Sequence, residues 1–519
     1  MREEDLRSAM AHILLSDFHT DRIWESLKKK EIRPMRIQLS SKATHTISPY
    51  LYMQFLEPLG TADSSVDAAW DYLNDCWQPV FIEKYKQLAP PMLRFGGCFA
   101  SYYHWKEAVG PRESRIPMLN LCWDGLYSNQ VGTDEVISLC RESGSEPLFV
   151  VNMESDGRMH WAYPKPGMDR LGTAAEAAEW VDYCNNPDNV LRRSHGIADP
   201  YNIRYWQIGN ETSYDKRGFD AATTARKTKE FARAMREADP TIKLLAWSDS
   251  GWTSHICETA GEEIDYLAFH HHFNSGLRDS PLVGDKYRDD PGETWYHLMN
   301  AHRSLVECLD RMREEAAPYG KRLAMTEGHF SLHGHGGRNC CEVLSTWGAG
   351  VSYARCLNVI ERNADILDIA TMADFVGNRW QVNALILPTP IRSGKAYFQP
   401  VGEIMRLFRH HIGTHAVKID APIGVDATAS ISADGNTLYV HLVNPNRTEA
   451  VRLEFFCDDA PVKGINAWFI AEDSMTEVSA LNPNVFTPVS RSCEGCEFYL
   501  PPAGVAALEI PLCREENNQ

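Results

Sequence analysis

Short apolar segments alternate with helix-like segments from residue 47 to about 380, and this alternation most constrains the fold. Eight of the apolar segments read as β-strands that end in polar residues: "YLYMQFLE", "PMLRFGG", "PLFVVNM", "YWQIGNE", "KLLAWSDS", "DYLAFHHH", "RLAMTEG" and "IATMADF". Strands that alternate with helices are typical of βα units with a parallel sheet. The pattern predicts an α/β fold, a (β/α)8 TIM barrel, with its active site at the C-terminal ends of the strands.

The clearest helix between two predicted strands is "GTAAEAAEWVDYCN", in which Ala175, Ala178, Val181 and Tyr183 form a roughly helical apolar stripe. After about residue 400 the pattern changes to period two, which predicts a hairpin of an antiparallel β-sandwich. The alternating apolar residues, on either side of the turn "ADGN", are Val425, Ala427, Ala429, Ile431, Leu438, Val440 and Leu442.

We therefore predict three parts of the chain. Residues 1–35 form an N-terminal helical extension, residues 36–395 the catalytic barrel and residues 396–519 the β-sandwich. The strand-like "MRIQLS", near residues 36–46, is a candidate further strand of the sandwich.

The charge balance argues against several classes of partner. The formal net charge is −18, so phosphate backbones and anionic membrane surfaces repel most of the surface, and neither nucleic acid nor a membrane is an expected partner. The start of the chain lacks the continuous apolar core of a signal peptide, and the 14 cysteines are scattered, which together predict reduced thiols in the cytoplasm. Cys493 and Cys496 form a lone C-x-x-C pair without further ligands, which does not predict structural zinc.

Two glutamates at the ends of different predicted strands suggest the chemistry. Glu211 ends the fourth strand and Glu327 the seventh, so both face one cleft. Paired carboxyl groups of this kind cleave glycosidic bonds, and in retaining enzymes they lie about 5–5.5 Å apart. The charge of an ionised nucleophile raises the pKa of its partner, which then acts as general acid. Taken singly, either glutamate also fits a helix N-terminal residue or half of an ion pair.

Seven segments in order resemble glycoside hydrolase family 51, a family of retaining glycosidases best known for α-L-arabinofuranosidases. The segments are "ISPYLYMQFLEPLG", "LRFGGCFASYYHWKEAVGPRESR", "GTDEVISLCRESGSEPLFVVN", "GTAAEAAEWVDYCN", "WQIGNE", "DYLAFHHH" and "ERNADILDIATMADFV". This resemblance implies a barrel with a β-sandwich, no cofactor, and a homo-oligomer, usually a hexamer.

By position, the resemblance implies that Glu327 is the nucleophile and Glu211 the acid/base. The positions that it implies for substrate binding are Glu57 against sugar hydroxyls, Arg94 beside the nucleophile, Cys98 against the sugar, Asn210 at the hydroxyl next to the anomeric centre, and His270 on the sixth strand.

Several positions depart from the family's pattern around the −1 subsite. The family's tyrosine that steadies the nucleophile is His272 here, its tryptophan after the nucleophile is Gly328, and its eighth-strand glutamine is Asp374. The second-strand loop "RFGG" also lacks the usual proline. The resemblance therefore supports the roles of the two catalytic glutamates more strongly than it supports the identity of the sugar. An ionised Asp374 only accepts hydrogen bonds, so the sugar hydroxyl that it meets is expected to donate.

Aromatic and histidine residues of the barrel loops offer further contacts. Of the tryptophans, Trp105 and Trp380 are predicted to stack on sugar faces. The histidine-rich "FHHHF" and "GHFSLHGHGG" fit contact with sugar hydroxyls better than a metal site, and no metal is predicted.

The sequence thus predicts a cytoplasmic, retaining, exo-acting glycosidase that removes terminal α-L-arabinofuranose from oligosaccharides or small glycosides. Three alternatives stay open. They are the same machinery acting on another sugar (a β-xyloside, β-glucoside, β-galactofuranoside or plant glycoside), transglycosylation through the same intermediate, and a sugar-binding relative without turnover.

Overall fold

The computed structural model describes residues 32–158, 170–273, 280–334, 337–338, 341–388, 395–458 and 460–512. Residues 1–31 of the predicted N-terminal extension lie outside these ranges. The strands are β1 (Pro34–Thr46), β2 (Gln54–Leu56), β3 (Trp70–Asp71), β4 (Cys76–Trp77), β5 (Met92–Phe95), β6 (Met118–Leu119), β7 (Leu126–Tyr127), β8 (Glu146–Val151), β9 (Tyr205–Ile208), β10 (Lys243–Trp247), β11 (Tyr266–Phe273), β12 (Arg322–Phe330), β13 (His333–Gly334), β14 (Gly337–Arg338), β15 (Leu367–Ala370), β16 (Asp374–Gly377), β17 (Asn383–Ile386), β18 (Tyr397–Phe398), β19 (His415–Asp420), β20 (Asp426–Ile431), β21 (Thr437–Val443), β22 (Val451–Cys457), β23 (Gly464–Ile470), β24 (Val489–Glu494), β25 (Glu497–Leu500) and β26 (Val505–Pro511). The helices are α1 (Ser65–Ala69), α2 (Pro79–Leu88), α3 (Thr133–Ser143), α4 (Ala174–Asn185), α5 (Val190–Ser194), α6 (Ala221–Ala238), α7 (Thr253–Ala260), α8 (Pro291–Asn300), α9 (His302–Ala316), α10 (Trp347–Arg362) and α11 (Pro400–Arg409).

Parallel strands close into the predicted barrel. Their order is β2, β5, β8, β9, β10, β11, β12 and β15, and each pairs in parallel with the next. The eighth strand is split, because β15 pairs with β12 while β16 pairs with β2 and completes the ring. All eight predicted segments contain barrel strand residues, so the prediction of a (β/α)8 TIM barrel is confirmed.

One buried layer fills the barrel interior near the N-terminal ends of the strands. It takes one residue from each strand or the segment just before it: Met53, Met92, Leu148, Tyr205, Leu245, Ala268, Ala324 and Ile369. A packed layer at this end leaves only the opposite, C-terminal end free for a cavity.

The predicted helix "GTAAEAAEWVDYCN" corresponds to α4, which Thr173 caps by accepting a hydrogen bond from the Glu176 backbone N–H. Its buried face contains Ala177, Trp180, Val181 and Cys184, a spacing of three and four residues. The predicted stripe was partly wrong, because Ala175 is exposed.

The second large sheet has nine strands in the order β24-β23-β26-β21-β20-β19-β1-β22-β25. They surround a core of their own, which includes Ile37, Leu438, Phe455 and Phe498. "MRIQLS" lies in β1, which pairs with β19 and β22. The expectation of purely antiparallel pairing is wrong at one place, since β1 runs parallel to β22.

The predicted hairpin is present as β20 and β21. Its apolar residues pair across the strands, with Ile431 opposite Leu438 and Ala429 opposite Val440. Side chains on alternate positions therefore face the same core, as period two requires.

None of the described helices is long and apolar enough to cross a lipid bilayer.

Candidate active site

A cavity of about 280 Å³ opens among the C-terminal ends of the barrel strands. The residues that line it are Phe55, Glu57, Leu59, Cys98, Trp123, Glu211, His272, Glu327, His329, Ser331, Asp374 and Trp380. Seven predicted site residues are among them: Glu57, Cys98, Glu211, His272, Glu327, Asp374 and Trp380.

The two glutamates face each other across this cavity. One carboxylate oxygen of Glu211 and one of Glu327 lie within 4.8 Å of each other. Glu327 lies within β12, and it pairs with His270 of β11 just after a register shift at Phe269. That shift brings His270 beside both glutamates, with Nδ1 2.9 Å from Glu211 Oε1 and 3.6 Å from Glu327 Oε2.

The turn after β9 sets the direction of Glu211. Gly209 and Glu211 both have positive φ, 73° and 52°, which glycine adopts freely and glutamate adopts only when its surroundings hold it. Asp156 holds this turn, since its Oδ1 accepts hydrogen bonds from the Asn210 backbone N–H at 3.1 Å and from Thr212 Oγ1 at 2.7 Å. Asp156 is fully buried and is itself fixed by Ser101 at 2.6 Å.

Arg94 anchors Glu327 from behind the cavity wall. Its guanidinium is fully buried and donates to Glu327 Oε1 at 2.8 Å, to Asn210 Oδ1 at 2.6 Å and to Gln207 Oε1 at 3.0 Å. Burial alone would raise the pKa of Glu327, but His270, His272 and Arg94 outweigh it and hold that pKa well below its usual value. Glu327 is therefore ionised, as a nucleophile must be.

Glu211 makes hydrogen bonds through both oxygens. His270 Nδ1 lies 2.9 Å from Oε1, and the Cys98 thiol donates to Oε2 at 3.1 Å. Burial and the charge of Glu327 raise the pKa of Glu211, yet the contact with His270 outweighs them, and the pKa is lowered. The expectation of a raised pKa is therefore wrong for the unliganded site, because it left out the histidine.

Glu57 forms another part of the wall, next to Gly97. Its Oε1 accepts hydrogen bonds from the Phe99 backbone N–H at 3.0 Å and from Trp123 Nε1 at 2.7 Å. Gly97 has φ 133°, and an added Cβ would lie 2.1 Å from Glu57 Oε2, so only glycine fits here. Burial, followed by the charge of Glu327, raises the pKa of Glu57 well above its usual value.

Asp374, which departs from the family's pattern, lies in surroundings that favour its protonated form. Burial and then the charge of Glu327 raise the pKa of Asp374 well above its usual value. A protonated Asp374 can donate as well as accept, so the expectation that the sugar hydroxyl donates applies only to ionised Asp374. Asp374 Oδ1 is buried and makes no hydrogen bond with the described residues.

His272 and His329 pack against each other beside Asp374, with ring centroids 4.6 Å apart. Burial and the charge of His272 lower the pKa of His329 to about 3, so His329 is neutral. Burial alone would lower the pKa of His272, but Glu327, Glu211 and Asp374 outweigh it and raise the pKa. His272 Nε2 lies 3.9 Å from Glu327 Oε2, too far for a hydrogen bond.

Three predicted contacts, Arg94, Asn210 and His270, are buried behind the wall. Arg94 contacts Glu327 and His270 contacts Glu211, while Asn210 accepts a hydrogen bond from Arg94. The predicted sugar contact of Trp105 is wrong. Its ring is buried, lies parallel to Trp180 and donates to the Glu176 carbonyl at 3.1 Å, away from the cavity. Trp380 does line the cavity, edge-to-face with Trp123.

Sequence reasoning missed Asp156 and several lining residues, namely Phe55, Leu59, Trp123 and Ser331. Trp123 stands in a loop without an apolar period, so nothing in the sequence placed it above the other tryptophans. The sequence predicted sugar contact for the histidine-rich segment after Glu327 without singling out one residue. In the structure, His329 of that segment lines the cavity. His335 lies outside the described residues.

Known proteins resemble this chain in sequence and in fold. A family model described as "Alpha-L-arabinofuranosidase 1 domain" matches residues 84–288. "Alpha-L-arabinofuranosidase C" of Emericella nidulans is 33% identical over 218 residues, which span 40% of each chain. The "Intracellular exo-alpha-(1->5)-L-arabinofuranosidase" of Acetivibrio thermocellus is 29% identical over 45% of this chain and 47% of its own. The matched region therefore spans less than half the length of these relatives.

The solved structure of the "thermostable GH51 alpha-L-arabinofuranosidase from Thermotoga petrophila RKU-1" superposes with a TM-score of 0.73 at 25% identity. The superposition covers 92% of this chain and 99% of that one, so it includes both the barrel and the nine-stranded sheet.

Proposed function

We propose that the chain is a member of glycoside hydrolase family 51, a retaining, exo-acting glycoside hydrolase that removes terminal α-L-arabinofuranose, an interpretation supported by its similarity to the named α-L-arabinofuranosidases. The observation that carries the proposal is the separation of the two glutamates. Their closest described oxygens lie within 4.8 Å of each other, near the roughly 5–5.5 Å of retaining enzymes and below the roughly 6.5–9.5 Å of inverting ones.

The arrangement assigns a step to each carboxyl group. Glu327 Oε2 attacks the anomeric carbon while Arg94 holds Oε1, and the bond to the departing oxygen breaks. Glu211 gives its proton to that oxygen, then takes a proton from the water that releases the sugar. His270 Nδ1, 2.9 Å from Glu211 Oε1, orients the carboxyl group for these transfers.

The size of the cavity favours removal of one terminal sugar. Its volume of about 280 Å³ lies just below the roughly 300–1,000 Å³ of pockets for drug-sized ligands. The packed layer below and the tryptophans Trp123 and Trp380 at the wall leave room for one sugar ring rather than a passing chain.

The choice of arabinofuranose rests on the names of the relatives, and four side chains would recognise it. Glu57 and Asp374 carry raised pKa values and can each donate to one sugar hydroxyl and accept from another. His272 and His329 stand where further hydroxyls would meet the wall. These positions decide between arabinofuranose and other sugars.

A panel of nitrophenyl glycosides tests the proposal. Purified protein should release nitrophenol fastest from α-L-arabinofuranoside, and the product should keep its anomeric configuration by NMR. Inverted product would contradict the roles of both glutamates. Preference for a β-xyloside, β-glucoside or β-galactofuranoside would contradict the proposed substrate but not the proposed roles of the two glutamates.

Glu211→Ala tests the acid/base role against the role of the nucleophile. This variant should retain turnover of aryl glycosides with good leaving groups, and azide should rescue it with formation of a glycosyl azide. Glu327→Ala is the matched control, which should lose hydrolysis, and any glycosyl azide that it forms should have inverted rather than retained configuration, because azide then attacks in place of the nucleophile. Equal loss of Glu211→Ala activity on good and poor leaving groups, with no rescue, would contradict the assignment.

We further propose that the protein works in the cytoplasm as a homo-oligomer. The buried Cys140, Cys184, Cys308 and Cys356 are free thiols, which fits a reducing compartment, and the relative from Acetivibrio thermocellus is named as intracellular. Light scattering on the full chain tests the oligomer, for which the family resemblance predicts a hexamer.

A further inference from the structure

Three side chains of the cavity wall and His270 directly behind it bring together the donor atoms that Zn²⁺ prefers. Glu211, His270, His272 and Glu327 each offer one carboxylate oxygen or ring nitrogen, and these four atoms lie within 4.8 Å of one another. Two imidazoles and two carboxylates suit tetrahedral zinc. We propose that these four residues bind one Zn²⁺ ion, which reversibly blocks the active site.

The distances between the donor atoms fit this ion. Zinc ligands at about 2.0–2.2 Å in a tetrahedron lie about 3.4 Å from one another. The measured separations are 2.9 Å from His270 Nδ1 to Glu211 Oε1, 3.6 Å from His270 Nδ1 to Glu327 Oε2, and 3.9 Å from His272 Nε2 to Glu327 Oε2. The other three separations lie within 4.8 Å, so the side chains would have to shift by up to about an ångström to bring the four atoms onto one ion.

Outer hydrogen bonds already orient these ligands. Arg94 holds Glu327 Oε1 and the Cys98 thiol holds Glu211 Oε2, so the other oxygen of each carboxylate is left for the ion. Thr326 Oγ1 lies 3.0 Å from His270 Nε2 and can accept the ring proton there, which leaves Nδ1 as the ligand. Partners of this kind fix the tautomer and direction of metal ligands. The ion would replace the contact between His270 and Glu211.

His272 is the residue that makes this site particular to the chain. Its Nε2 is buried and has no hydrogen-bond partner among the described residues. The family resemblance places a tyrosine here, and a neutral phenol is a poor zinc ligand. Because the ion would occupy both catalytic carboxylates, zinc and sugar should exclude each other.

Calorimetry with zinc chloride on the metal-free full chain tests the proposal. The protein used should carry Cys493→Ser and Cys496→Ser, so that the C-x-x-C pair does not bind zinc. One Zn²⁺ should bind per chain, and zinc should inhibit hydrolysis competitively until EDTA is added. His272→Tyr and His272→Phe should each weaken zinc binding at least about tenfold. Magnesium, which prefers oxygen ligands, should not compete.

Two controls separate this site from other thiols and histidines. His271→Gln removes a neighbouring histidine whose Nε2 contacts Ser304 outside the cavity, and it should bind zinc as the parent does. Cys98→Ser should also keep its zinc affinity, because the serine hydroxyl can donate to Glu211 Oε2 as the thiol does. Unchanged affinity in both His272 variants, or loss in Cys98→Ser, would overturn the proposal. Because calorimetry needs no substrate, a wrong sugar assignment would leave this result intact.

Discussion

Two buried acidic clusters of this protein differ in how their oxygens are satisfied. The cavity cluster consists of Glu57, Glu211, Glu327 and Asp374 at the C-terminal end of the barrel. The interface cluster consists of Glu361 on α10 and Asp426 on β20, where the barrel meets the nine-stranded sheet. Both contain carboxyl groups taken from water, and burial alone destabilises the charged form in both.

The interface cluster is fully paired. Asp426 accepts from Arg362 at 2.7 Å, from Arg355 at 3.1 Å and from Asn358 at 3.1 Å. Glu361 accepts from His441 at 2.8 Å, and Tyr52 and Thr428 also donate to it. These contacts outweigh burial and lower the pKa of both carboxyls.

The cavity cluster leaves two buried polar atoms without a hydrogen bond to the described residues. Asp374 Oδ1 and the neighbouring His272 Nε2 are buried and make no hydrogen bond with the described residues. Unpaired buried atoms cost about 1–3 kcal/mol each, a cost that a bound ligand recovers. Both clusters are buried, so burial does not distinguish them. The cavity differs from the structural contact because it contains buried polar atoms that make no hydrogen bond with the described residues.

The largest expected effect is on the rate, from Glu327→Gln. The amide cannot attack the anomeric carbon, so kcat should fall on the order of 10⁴-fold or more. The amide oxygen can still accept from Arg94, so the melting temperature should stay within a few degrees of the parent value by calorimetry. If Glu327→Gln lost as much stability as Asp426→Ala, the two clusters would not differ in the way proposed.

The next effect is on stability, from Asp426→Ala at the interface. Loss of this acceptor leaves Arg355 and Arg362 without their shared partner, which should cost about 3 kcal/mol of unfolding free energy in urea titrations. The kcat should change less than about twofold, because Asp426 lies outside the cavity. Asp420→Ala, at an exposed position of the same sheet, is the control and should cost less than about 0.5 kcal/mol.

Part of the pH dependence of stability should come from the interface cluster. Because the folded pKa values of Asp426 and Glu361 lie below their unfolded values, the unfolded chain binds more protons in acid. Their stabilisation is present above the unfolded pKa of about 4 and is lost as pH falls through the folded values. The unfolding free energy measured in urea should fall by more than about 1 kcal/mol between pH 6 and pH 3. In Asp426→Asn the unfolding free energy should depend less steeply on pH. An unchanged slope would contradict the assignment.

The smallest expected effect is that of Asp374→Asn in the cavity, the same carboxyl-to-amide change in the other cluster. The raised pKa keeps Asp374 neutral, so a neutral amide should reduce kcat/KM by no more than about tenfold. Unfolding free energy should stay within about 0.5 kcal/mol. A strong loss of stability would mean that Asp374 is ionised and paired.

Local pattern predicted much of this structure. The barrel strands, helix α4 and the β20–β21 hairpin each repeat a period of apolar residues, and a period is visible without knowing which segments meet. The order of strand ends also predicted that Glu57, Glu211, Glu327 and Asp374 share one cavity, because parallel strands present their C-terminal ends at the same face.

What only the tertiary structure decided depends on contacts between distant segments. His270 reverses the expected pKa shift of Glu211, and it does so through a register shift between β11 and β12 that no local pattern records. Trp105 and Trp380 look alike in sequence, yet one packs on Trp180 and the other lines the cavity. Periodicity and strand order are properties of the chain itself, whereas protonation and exposure arise from neighbours that folding supplies.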